Sequence, residues 1–87
     1  MSLISKFDGN MNIVGKYIKE YRVQKGLSYE QLAAKLELLG INIHKQSLYD
    51  IEHNKRTVKD YELLGIAYLL NINVNNLFEN IRKQLEL

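Results

Sequence analysis

Apolar residues along this chain recur three and four positions apart, the spacing of one helix face, and nowhere alternate as strand residues do. In "MNIVGKYIKEYR" the recurring residues are Val14, Ile18 and Tyr21, and Gly26 ends the segment. "SYEQ" then predicts a capping box, in which the Ser28 hydroxyl accepts from the Gln31 amide while the Gln31 side chain reaches back. Leu32, Ala33, Leu36 and Leu39 form the buried stripe of this second helix, and Gly40 stops it. A third, short helix runs from Lys45 to about Asn54. A fourth covers about Tyr61 to Leu70, with Leu63, Ile66, Ala67 and Leu70 on one face and Asn71 where glycine is usual. Asn73 caps a fifth in "NVNNLFE", which continues into the tail. With no proline in the chain, glycine and asparagine must end the helices, because both tolerate left-handed backbone. The pattern predicts an all-α fold, a compact bundle of five short helices. Residues 1–10, "MSLISKFDGN", lack the helical period and are expected to be a flexible arm. Residues 11–79 form the domain and 80–87 a helical tail.

The third helix differs from the others. "HKQSLYDIEHNKR" contains only Leu48 and Ile51 as aliphatic residues. Successive helical residues are rotated by about 100°, which puts Lys45, Gln46, Tyr49, Asp50 and His53 on one side and Ser47, Leu48, Ile51 and Glu52 on the other. A thin apolar stripe therefore anchors a dense polar face. Lysine bonds guanine acceptors or phosphate, glutamine bonds adenine through two contacts, and aspartate accepts from cytosine N4. Lys55 and Arg56 follow at the helix end, where phosphates would lie. A solvated surface helix shows the same pattern, so the residues alone leave both readings open.

Composition narrows the field. The 87 residues suffice for one small domain, and 46% hydrophobic content argues against wholesale disorder. A formal charge of +2 permits a nucleic-acid partner only if the basic residues gather on one face. The chain has no cysteine and no apolar run long enough for a membrane, which predicts a soluble, cytoplasmic protein without disulfides. Ser47, Asp50 and His53 are spread round their helix, so they make no hydrolytic triad. His44 and His53 are the only histidines and sit at opposite ends of one helix, so no metal site is expected. Glycine-rich phosphate loops are absent, and neither a cofactor nor an enzymatic activity is expected.

From about Val14 to Glu79 the chain resembles the Cro/repressor (Xre-like) helix-turn-helix family. The matching pieces are "YIKEYRVQKGLSYEQLAAKL", "QSLYDIEHNKR" and "LLGIAYLLNINVNNLF", in the family's order. Arg22, Leu27 with Ser28, Ala33, Glu52, and Lys55 with Arg56 stand where its pattern has corresponding residues. The resemblance implies a lambda-repressor-like bundle and a regulator, a repressor in the first instance, that binds double-stranded DNA as a homodimer. It also implies a third helix in the major groove, with Lys45, Gln46, Tyr49 and Asp50 facing bases. Ser28, Tyr29, Ser47, Lys55 and Arg56 are expected at phosphates. Arg22 lies at the edge of its helix's apolar stripe and Glu52 on the core side of its own, so the two are expected to pair. "LELLGINI" is longer than the family's usual turn, and Leu39, Ile41 and Ile43 are expected to cover core. His44 replaces the usual capping serine or threonine and is a poorer cap.

In the tail, Ile81 and Leu85 continue a row begun by Leu77. Such a stripe must be covered, by its own domain or by a second copy. One short recognition helix reads few base pairs, so the expectation is a dimer interface of Leu77, Phe78, Ile81 and Leu85. An alternative function is an antitoxin-like or anti-repressor-like interaction module with secondary DNA binding and a protein regulator as partner.

Overall fold

The computed structural model describes Phe7 and residues 9–87; most of the expected arm, residues 1–6 and 8, lies outside the described residues. The chain forms α1 (Gly15–Gln24), α2 (Tyr29–Leu38), α3 (Lys45–Glu52), α4 (Asp60–Leu70) and α5 (Val74–Gln84). No strand occurs among the described residues, and no helix there is long and apolar enough to cross a membrane.

Most helix boundaries have a local cause. Asn12 Oδ1 accepts from the backbone N–H groups of Val14 and Gly15, at 3.1 and 2.7 Å, and so satisfies donors at the start of α1. At α2 the capping box is complete, with Gln31 N–H donating to Ser28 Oγ at 3.0 Å and Ser28 N–H to Gln31 Oε1 at 2.8 Å. His44 makes no side-chain cap at α3. Asn73 Oδ1 accepts from Asn76 N–H at 3.1 Å at the start of α5. Asn54 and Asn71, at φ 60° and 56°, take the left-handed turn after α3 and α4.

The core is a single cluster. Ile18, Leu32, Leu36, Leu48, Ile51, Ile66, Leu70 and Leu77 are its fully buried side chains. Burying each contributes about 1.5–3 kcal/mol against the ordering entropy of the chain. α3 packs against α1 and α2, and α4 against the same two helices. The α1–α3 approach is close: a Cβ at Gly15 would run into the Ile51 carbonyl oxygen.

Two expectations are corrected. Leu39 does not join the α2 stripe; it is exposed. The helix has already ended at Leu38, and a helical projection no longer says where residue 39 points. Ile41 is half-buried against the core and Ile43 is buried, so the long turn does cover core from its second half. The second correction concerns the tail. Leu77 and Ile81 are only 1% and 5% exposed within a single chain and offer no surface to a second copy. α5 runs unbroken across residues 79 and 80, and Ile81 belongs to the same core as Ile18. The Gln84 Oε1 atom accepts from Tyr17 Oη and from Lys16 Nζ, which fastens the end of α5 to α1. Of the four residues expected at a dimer interface, Leu77 and Ile81 thus face their own core, whereas Phe78 is exposed and Leu85 half-buried.

Candidate nucleic-acid interface

α3 buries Leu48, Ile51 and Glu52 and turns Lys45 and Gln46 fully outward, with Tyr49 and Asp50 half-exposed beside them. This polar face is organised by side-chain contacts. Gln46 Nε2 donates to Asp50 Oδ1 at 3.1 Å, one helical turn away. Tyr49 stacks on His53, with ring centroids 3.9 Å apart and planes 18° from parallel. Lys55 Nζ lies 5.5 Å from the Tyr49 ring centroid, within cation–π range. Lys45 reaches Glu30 Oε1 on α2 at 3.2 Å. Both side chains of that pair are well exposed, so it is a loose contact that a competing anion can displace. Ser47 is half-buried and Ser28 is exposed at the start of α2.

Behind this face lies a buried network. Arg22 Nε donates to Glu52 Oε2 at 2.7 Å and Arg22 Nη2 to Glu52 Oε1 at 3.0 Å. Arg22 Nη1 also donates to the Leu27 carbonyl at 2.8 Å, so one guanidinium ties α1 to the end of α3 and to the entry of α2. Hydrogen bonding to Glu52 raises the Arg22 pKa further, so this arginine stays charged. Tyr29 Oη donates to Glu52 Oε1 at 2.8 Å. Burial, then that hydrogen bond, pushes its phenol above the ordinary value. The Tyr29 ring lies 4.0 Å from the Arg22 guanidinium carbon and meets Tyr49 edge-on, with centroids 5.9 Å apart. The ring therefore links the ion pair to the outward face.

Two residues expected at phosphates have their polar ends engaged inside the chain. Tyr29 is one, through Glu52. Arg56 is the other: its Nη1 and Nη2 each lie 3.0 Å from the Glu62 carboxylate, and Glu62 is buried. Glu62 Oε1 also accepts from Lys59 N–H at 2.9 Å, the return half of a capping box whose first position, a lysine, has no acceptor to offer. Lys55, by contrast, remains exposed beside Tyr49.

Sequence reasoning missed the fastening at the end of α3. Asn12 Nδ2 donates to the carbonyls of Ile51 and Arg56, both at 2.9 Å. Asn54 Oδ1 accepts from Met11 N–H at 2.6 Å and Asn12 N–H at 3.1 Å, and Asn54 Nδ2 donates to Asn10 Oδ1 at 2.7 Å. The segment before α1 is thus clasped to the end of α3 by two asparagines. Part of the expected arm, at Asn10, belongs to this clasp. The only local signal was an asparagine at a left-handed helix end.

The arrangement combines an α2–turn–α3 unit with a fixed polar helix face. The helix-turn-helix family (HTH_3) matches residues 18–77, most of the chain and all of this unit. The chain belongs to that family, of the Cro/repressor (Xre-like) type. Neither a curated relative nor a solved structure matches it. The helix-turn-helix match makes this a DNA-binding regulatory domain with a lambda-repressor-like fold. Among its described residues, no group of three or more His, Asp or Glu is placed to hold a metal ion.

Proposed function

We propose that this helix-turn-helix domain is a repressor that reads the major groove of double-stranded DNA with α3 and acts as a homodimer. The observation that carries the reading is the division of α3. Its apolar side and Glu52 are buried while Lys45 and Gln46, at its N-terminal end, are free of the core. That end is the one a major-groove helix presents to base edges. Lys45, Gln46, Tyr49 and Asp50 are the base-facing set. Asp50 holds one Gln46 amide proton, which leaves the second proton and Oε1 to serve as the donor–acceptor pair that adenine N7 and N6 require. Ser28, Ser47 and Lys55 supply phosphate contacts. Tyr29 and Arg56 hold the frame.

The test is selection of bound DNA from a random pool at stated salt, followed by titration of variants. Gln46→Ala should lose about 1–3 kcal/mol on the selected site and relax preference at one base pair. Lys55→Ala should weaken binding to all sequences and reduce the salt slope by roughly 0.9. Equal loss on selected and random DNA for Gln46→Ala would remove it from the base readers.

A further inference from the structure

We infer that His53 is a further DNA contact: once protonated, it donates Nε2–H to a backbone phosphate at the C-terminal end of α3, so that binding takes up a proton. The inference rests on the DNA-reading proposal above and adds to it a charge that depends on pH.

His53 is the exposed C-cap of α3. It lies one turn after Tyr49, on the side that carries Gln46 and Asp50, and two residues before the exposed Lys55. Two contacts fix its ring. It stacks on the Tyr49 ring, and its Nδ1 lies 2.9 Å from the Tyr49 carbonyl oxygen. A carbonyl oxygen only accepts, so Nδ1 carries the proton in that bond, and in the neutral ring Nε2 is a bare acceptor. A phosphate oxygen is an acceptor too, and the two cannot bond. Protonation makes Nε2 a charged donor, the stronger kind of partner for phosphate. The stack survives the change, because an aromatic face attracts a cation. The C-terminal end of a helix and a nearby phosphate each favour that cation.

The neighbours leave histidine as the group that titrates. On α3 itself these are Tyr49 and Asp50, the latter bonded to Gln46. Lys55 reaches the Tyr49 ring from the following loop, and Tyr29 meets it edge-on from α2. Arg22 on α1 holds Glu52, the residue before His53. The clasp at Asn54 brings Asn10, Met11 and Asn12, which carry no charge. Of these side-chain types, histidine is the one whose charge ordinarily changes between pH 5 and 8.

Titration of duplex DNA with the full chain at pH 5.5 and pH 8, at several salt concentrations, tests this. Random-sequence duplex suffices, because a phosphate contact carries no sequence information. The wild type should bind about tenfold more tightly at pH 5.5, the worth of one hydrogen bond to a charged group. Its salt slope should be steeper by roughly 0.9 at the lower pH. His53→Gln, with an unchanged helical signal, should bind alike at both pH values. His53→Lys, a permanent cation, should also ignore pH but keep the steeper salt slope throughout, which a merely structural role would not produce. His44→Gln, at the other end of α3, should keep the pH dependence. Wild-type binding that ignores pH, or a pH dependence that persists in His53→Gln, overturns the inference and leaves DNA reading intact. No binding to DNA at either pH overturns the DNA-reading proposal and the inference with it.

Discussion

Two ion pairs in this domain have similar distances and opposite expectations. Arg22 and Glu52 meet at 2.7 Å with side chains 10% and 0% exposed, and Tyr29 gives the carboxylate a further donor. Removing Arg22 strands a buried carboxylate, so Arg22→Ala should destabilise the fold by ~3–5 kcal/mol. A double-mutant cycle with Glu52→Ala should return a coupling well above 1 kcal/mol, by the logic that neighbours in one network do not add. Zero coupling in urea titrations would refute it. Lys45 and Glu30 meet at 3.2 Å in solvent. Glu30→Gln should move stability by less than about 0.5 kcal/mol. It should nevertheless strengthen DNA binding, because it frees the Lys45 ammonium and removes a negative charge from the phosphate side of α2. An affinity unchanged or lowered at low salt would count against Lys45 as a DNA contact.

At the level of elements, the apolar hold on α3 is thin. Its own core contacts are Leu48 and Ile51, and its N-cap is empty. Its far end is held by the Arg22–Glu52 pair and by Asn12, which makes two donated and two accepted hydrogen bonds to α3, its following loop and α1. Asn12→Ala should therefore cost about 2–3 kcal/mol, since it takes a donor from the Arg56 carbonyl and the acceptor from the Val14 and Gly15 N–H groups. It should also raise amide exchange in α3 more than in α4. Uniform exchange across both helices would show that the clasp has no local effect on α3. The contrast shows what the sequence disclosed. Periodicity revealed the helices and the α3 polar face, because those depend on neighbours three and four residues away. "SYEQ" revealed its cap for the same reason. The clasp joins residues more than 38 apart, so no local pattern announces it. The Glu62 partner of Arg56 was hidden differently: a basic loop beside a candidate DNA helix invites a phosphate reading, and only burial of Glu62 shows the competing contact. For α5 the stripe was legible, but which surface covers it was a tertiary matter. Leu77 and Ile81 went inward.

For the molecule as a whole, one small core means that a local loss becomes a global one. A domain of this size retains a stability of only about 5–15 kcal/mol, and a single buried ion pair is a sizeable fraction of that. The Arg56–Glu62 pair is the acid-sensitive part. Burial alone pushes the Glu62 carboxyl up, but hydrogen bonds from Arg56 and from Lys59 N–H outweigh it and hold the pKa below the ordinary value. The folded chain therefore resists protonation of Glu62 more than the unfolded chain does. Between the two pKa values the unfolded state binds more protons, so stability rises with pH in that window. The stabilisation is complete above the unfolded value, about 4.3, and is lost as pH falls through the lower folded value. Glu62→Gln removes the titrating group but keeps most of its shape. At pH 7 it should be less stable than the wild type by ~1–3 kcal/mol. The gap should hold down to about pH 5 and close progressively below about 4.3. Urea titrations of both proteins at pH 7, 5, 4 and 3, at constant ionic strength, measure it directly. A gap that is the same at pH 3 as at pH 7 would show that the loss came from repacking and that the Glu62 charge contributes nothing to the fold.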